Sequence, residues 1–273
     1  MNYPLSLVVS ASLALVACSS EVVGQSVQES TAKAAPKVWG LAFGIDAYPG
    51  GNELPNCVND ATDMIALLRK NGVPEAQLRL MTDAQCKRDA MLTALADLAQ
   101  RSKAGDEVMI YFSGHGSHKK DENGDEPDGA DETWVTVELD QILDDELEAA
   151  FAKIPGTVYV VSDSCHSGTV SKDIQVDRSD SVGKYLSPVA IEKAKGQPAS
   201  GFTARDIAPR RPDEQARQNA QGGTNTPVSG IGTQARLFSS CSDHEVSNAS
   251  RRERNSAFTA QLLTVVQEAS GPL

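Results

Sequence analysis

Three nearly unbroken apolar runs constrain this chain more than any other feature: Lys37–Ile45 (KVWGLAFGI), Glu107–Phe112 (EVMIYF) and Thr157–Ser162 (TVYVVS). A strand that alternates apolar and polar residues has one wet face. Continuous runs suit strands buried on both faces, the condition of a parallel sheet covered by helices. The intervening segments supply the covers. Asp60–Asn71 carries Met64, Ile65, Leu67 and Leu68 on one face and stops at Gly72, and Arg88–Ser102 spaces Met91, Leu95 and Leu98 at helical intervals. Gln77–Met81 and Thr133–Val137 read as further strands, Asp144–Lys153 as a helix, and Ala235–Ser240 and Ser256–Glu268 as a last strand and helix. The alternation predicts an α/β fold with a mainly parallel central sheet flanked by helices.

Two of the apolar runs end in short polar segments, Ser113-Gly114-His115-Gly116 and Asp163-Ser164-Cys165-His166-Ser167-Gly168. Loops after neighbouring parallel strands open at one edge of the sheet, where ligands of open α/β folds bind. A thiol and an imidazole delivered there are the minimum parts of an activated cysteine nucleophile, so Cys165 and His115 are the candidate dyad. His166 is read as scaffold, because adjacent residues in a turn point apart. His118 is read as the solvated start of a Lys-rich loop. A zinc site from His115, His118 and Cys165 is set aside, as no structural-zinc spacing is present.

The formal net charge is -12 and the sequence pI about 4.8, which argues against nucleic acid as a partner. Residues 119–148 alone hold 13 of the acidic residues. Within them Asp121, Asn123, Asp125 and Glu132 fall at EF-hand positions, but Glu126 stands where that loop needs glycine, so an EF-hand is rejected. Residues 5–17 form a secretion-signal-like apolar stretch too short to span a bilayer. Leu15-Val16-Ala17-Cys18 resembles a bacterial lipobox, which implies export, Cys18 as lipid anchor, residues 18–36 as a tether, and a place in the periplasm or at the cell surface. Cys57, Cys86 and Cys241 remain, and an oxidising compartment would permit one bridge among them. Residues 172–232, rich in Lys, Arg, Pro, Gly, Gln and Ser, read as a linker between a large region (37–171) and a small one (233–273).

The SGHG and DSCHSG segments, 50 residues apart from His115 to Cys165, resemble the signatures of metacaspase-type cysteine peptidases of the caspase fold, in a bacterial form. Leu54–Ala61 (LPNCVNDA) and Leu237–Asn248 (LFSSCSDHEVSN) extend the likeness. The resemblance implies a peptidase with Cys165 as nucleophile, His115 as general acid–base, and backbone N–H groups of Gly116 and Cys165 as oxyanion donors. It implies an S1 pocket for Arg or Lys from Cys57, Asp60, Ser113 and Asp163, and optional calcium at Asp131, Asp144, Asp145 and Asp173, with no cofactor needed for chemistry. It also implies a monomer, peptide or protein substrates with a basic P1 residue, and self-cleavage in the linker at sites such as Lys172, Arg178, Lys184 or Arg205. The alternatives are a non-catalytic caspase-fold scaffold or another His–Cys peptidase of the same clan. Helix capping is the competing role for Asp60, and a structural hydrogen bond for Asp163.

Overall fold

The computed structural model describes residues 35–120, 130–165, 180–196, 235–240 and 247–269. The signal-like stretch, Cys18, His166, Asp173 and the linker residues Lys172, Arg178 and Arg205 lie outside them. The central sheet has the order β2-β1-β3-β7-β9, built from β1 (Val38–Gly44), β2 (Leu78–Thr82), β3 (Glu107–Ser113), β7 (Thr157–Asp163) and β9 (Ala235–Ser239). Every pairing in it is parallel. The three apolar runs are the three inner strands, as their double-sided burial requires.

Side-chain alternation sorts the strand residues between two cores. Leu41, Phe43, Val108, Ile110, Phe112, Val158 and Val160 join one core under α2 (Arg88–Arg101) and α3 (Asp144–Phe151). Ala42, Tyr111 and Val161 face the other, under α1 (Cys57–Lys70) and the final helix α5 (Ala257–Ala269). Each large apolar side chain buried in this way contributes about 1.5–3 kcal/mol. Trp134 stacks on Phe112 at 4.4 Å between centroids and donates its indole N–H to Ser162. That pins a smaller antiparallel sheet, β4 (Gly116–Lys120), β5 (Ala130–Val135) and β6 (Gln141–Leu143), beside the ends of β3 and β7.

Several local expectations change. Helix α1 begins at Cys57, so Asp60 lies within its first turn and does not open it. The helix is capped from a distance: Asp46 accepts the N–H groups of Cys57 (2.7 Å) and Val58 (3.3 Å). Residues 116–120 form a strand where a solvated loop was expected, because pairing with β5 supplies hydrogen bonds that the polar sequence does not advertise. Within the expected linker, β8 (Ser181–Gly183) pairs antiparallel with β10 (Asn248–Ser250), and α4 (Pro188–Ala194) follows. Cys57 and Cys86 are buried free thiols, so neither takes part in the bridge expected among Cys57, Cys86 and Cys241, the last of which lies outside the described residues. No helix among the described residues is long and apolar enough to cross a membrane.

Candidate active site

Register at the carboxyl ends of the strands builds the site. Gly44, Ser113 and Asp163 sit side by side across β1, β3 and β7. Gly44 is required to be small: a Cβ there would lie 2.4 Å from the Cys57 carbonyl oxygen and 2.8 Å from Ala61 Cβ. The first turn of α1 therefore rests on the backbone of β1 and carries Asp60 to Ser113, whose hydroxyl donates to its carboxylate at 2.9 Å.

His115 follows β3 after Gly114. A side chain at Gly114 would meet the Tyr48 hydroxyl at 2.5 Å, so glycine lets that hydroxyl approach. Tyr48 Oη accepts the His115 N–H (3.0 Å) and donates to the Val135 carbonyl (2.9 Å), and its ring packs against the imidazole at 4.6 Å. The imidazole is 3% exposed, and its Nε2 lies 2.8 Å from the Asn52 main-chain carbonyl. A carbonyl only accepts, so Nε2 carries the proton and Nδ1 is the basic nitrogen. Nδ1 is buried with no hydrogen-bond partner among the described residues. Burial lowers the His115 pKa to about 4, leaving a neutral ring at neutral pH. The loop that presents Asn52 is held at both ends: Asp83 accepts the N–H groups of Asp46 and Ala47, and Asn56 takes a left-handed conformation with φ 76° before α1.

Cys165 follows β7 and is buried. Its N–H points at the carbonyl oxygen of Lys184 at 3.3 Å, and the N–H of Gly116 reaches the same oxygen at 2.8 Å. The two backbone donors expected to hold an oxyanion thus converge on one peptide group, Lys184–Tyr185, with the thiol residue on one side and the residue after His115 on the other.

The Lys184 side chain runs into the cluster at the strand ends. It is fully buried, with Nζ 2.8 Å from Asp163, 3.2 Å from Asp60 and 2.9 Å from the Ser113 hydroxyl. Asp163 also accepts hydroxyl bonds from Ser247 (2.5 Å), Thr259 (2.9 Å) and Ser256, and Asp60 accepts the Ser256 N–H at 2.9 Å. Burial opposes the ammonium, but the neighbouring Cys57, Asp163 and Asp60 outweigh it and hold the Lys184 pKa above its usual range. Of the three, the carboxylates supply the charge, since burial pushes the Cys57 thiol up to about 12. Burial likewise works to raise the Asp163 pKa, and the ammonium beside it together with the Ser247 and Ser256 hydroxyls more than reverses this and lowers it.

Of the residues expected to form S1, Asp60, Ser113 and Asp163 touch one ammonium, and Cys57 flanks it. Sequence reasoning missed the supports Ser247, Ser256 and Thr259, and the clamp of Tyr48 and Asn52. It named Lys184 as one linker lysine among several. The one available signal was local: Ser-Val-Gly-Lys-Tyr-Leu is a small apolar island within a polar segment. His118 is not a solvated loop residue, since it lies on β4 with its ring stacked on Tyr185.

Of the expected calcium residues, Asp131, Asp144 and Asp145 are among the described residues. Asp131 is on β5 and buried, and Asp144 and Asp145 open α3. Asp144 accepts the N–H groups of Glu132 (3.4 Å) and Asp145 (2.9 Å), and its pKa is raised by burial and by the charges of Glu132 and Asp145. No group of three or more His, Cys, Asp or Glu among the described residues could hold a metal ion.

The family description Caspase domain matches residues 37–272. Metacaspase-2 of Arabidopsis thaliana is 34% identical over 147 residues, 49% of this chain and 35% of that protein. Metacaspase-1 of Mycosarcoma maydis is 34% identical over 143 residues, 47% of this chain and 35% of that protein. The matches thus span about a third of the length of these curated relatives. Among solved structures, that of a protein from Geobacter sulfurreducens is similar with a TM-score of 0.61 and 28% identity, covering 86% of this chain and 83% of that one.

Proposed function

Since the chain belongs to the caspase-domain family, we propose that it is a cysteine endopeptidase cutting after lysine or arginine, and that it holds its own Lys184 as a substrate in cis. The observation that carries this is the double engagement of one residue. The Lys184 carbonyl accepts from Gly116 and Cys165 while its ammonium lies between Asp60 and Asp163. A P1 aspartate would set a third carboxylate against those two, which disfavours acidic substrates.

The proposed steps use these atoms. His115 Nδ1 takes the thiol proton as Cys165 Sγ bonds to the carbonyl carbon of Lys184. The oxygen gains negative charge, which the N–H groups of Gly116 and Cys165 stabilise; one such donor is worth about 2.7–4 kcal/mol. His115 then returns the proton to the Tyr185 nitrogen, the Lys184–Tyr185 bond breaks, and a thioester remains on Cys165. Water gives a proton to His115 as its oxygen bonds to the acyl carbon. The C–S bond breaks, His115 passes that proton to Cys165 Sγ to restore the thiol, and the Lys184 carboxyl loses its proton to solvent. The neutral imidazole is the form able to accept the thiol proton.

Calcium enters the proposal as an activator. The described carboxylates Asp131, Asp144 and Asp145 do not close a site by themselves, so binding would need the segment carrying Asp173. Export with a lipid on Cys18, and a monomeric state, complete the reading; the likeness of residues 15–18 to a lipobox supports the first.

The test is digestion of fluorogenic peptides with Arg, Lys or Asp at P1, in calcium and in chelator, together with mass analysis of the chain. Cleavage after basic residues and a cut after Lys184, both lost in Cys165→Ala, are expected. A folded protein that cuts neither itself nor any peptide would turn the reading to a non-catalytic scaffold.

A further inference from the structure

Beyond the scissile bond the docked segment follows β4. The Leu186 N–H donates to the Gly116 carbonyl, the Gly116 N–H donates to the Lys184 carbonyl, and the two bonds make a parallel bridge between Gly116 and Tyr185. Tyr185 therefore rides alongside β4. Its ring stacks on His118, two residues along the same strand, with 6.0 Å between centroids and 10° between planes. The phenol oxygen lies 3.3 Å from His118 Nδ1. Leu186 next to it is 5% exposed and belongs to the main core with Ile191 of α4.

We propose that β4 is a built prime-side recognition strand, with His118 selecting an aromatic P1′ residue and the adjacent core edge selecting an apolar P2′ residue. The proposal rests on the cysteine-peptidase reading of the site and narrows its substrates to basic–aromatic–apolar sequences, of which Lys184-Tyr185-Leu186 is the internal copy. The chemistry is specific. The imidazole face stacks on an aromatic ring, phenol or phenyl, and this stacking carries the selection. A main-chain bridge at Gly116 fixes the register that brings P1′ to His118 and P2′ to the core.

The experiment measures self-cleavage after Lys184 in the full chain and in His118→Ala, Tyr185→Phe, Tyr185→Asp and the His118→Ala/Tyr185→Asp pair. Thermal unfolding of each in a Cys165→Ala background checks folding. Internally quenched Ser-Val-Gly-Lys-Tyr-Leu and its P1′ Ala and P1′ Asp analogues are assayed in trans with the wild-type chain and with His118→Ala. Tyr185→Phe should cut near the wild-type rate. Tyr185→Asp and His118→Ala should each cut about three- to tenfold slower, and the pair no slower than the worse single variant. In trans the P1′ Tyr peptide should lead, and His118→Ala should erase that lead while sparing the P1′ Ala peptide. Cleavage after Lys184 that ignores these changes, with peptides cut equally, overturns the prime-side assignment and leaves the peptidase reading standing. Absence of any cleavage after lysine, in cis or in trans, overturns that reading and the assignment with it.

Discussion

Replacing Lys184 by alanine should destabilise the folded chain, and the structure says by roughly how much. The ammonium is fully buried between two fully buried carboxylates. Removing one partner of a buried ion pair typically costs about 3–5 kcal/mol, because the other charge is left without compensation. Here the stranded carboxylates retain donors: Ser247, Ser256 and Thr259 for Asp163, and Ser113 with the Ser256 N–H for Asp60. The loss should therefore fall near the lower end, about 3 kcal/mol, or a fall in melting temperature of about 6–12 °C for a domain of this size. Urea and thermal unfolding of Lys184→Ala, Lys184→Arg and the parent, all in a Cys165→Ala background that prevents self-cleavage, measure it. Arginine should recover most of the loss. The sign with pH is also set. Without the ammonium that lowers it, the Asp163 pKa rises under the burial that remains, so the folded variant binds protons more readily than the folded parent. The deficit should accordingly shrink as pH falls from 7 toward 5. A Lys184→Ala variant within about 0.5 kcal/mol of its parent, the range of an ordinary surface substitution, would refute the claim that this ion cluster holds segment 180–196 in the site.

Three further outcomes follow from the same geometry. Tyr48→Phe removes the hydroxyl that accepts the His115 N–H and donates to Val135. It should slow Lys184 self-cleavage about tenfold by loosening the imidazole while the fold survives, as quench-flow and circular dichroism would report. Self-cleavage should persist as pH falls through 6 and 5 and fail near pH 4, where His115 gains the proton that stops it accepting one; the same depressed pKa means folded stability declines between the unfolded value of 6.5 and about 4, readable by urea titration at each pH. Gly44→Ala sets a methyl against the Cys57 carbonyl and Ala61 and should cost about 1–3 kcal/mol as overpacking, with a drop in Lys-peptide cleavage as α1 shifts Asp60.

The amino-acid sequence by itself determined the inner strands and what stands at their ends. Runs such as EVMIYF and TVYVVS can be buried on both faces only inside a covered parallel sheet, so His115 and Cys165 had to reach one edge, with Ser113 and Asp163 beside them. Local pattern sufficed because strand burial and register are written in neighbouring residues. It did not suffice for β4, whose polar SHKK reads as a loop until β5 pairs with it, nor for the start of α1, where the capping carboxylate of Asp46 lies 11 residues upstream. Above all it could not select Lys184 from the other linker lysines. Burying an ammonium is unfavourable everywhere along the chain except where Asp60, 124 residues away, and Asp163 already stand together. Tertiary structure alone assembles that pair, because a buried charge is stabilised by partners in space and not by neighbours in sequence.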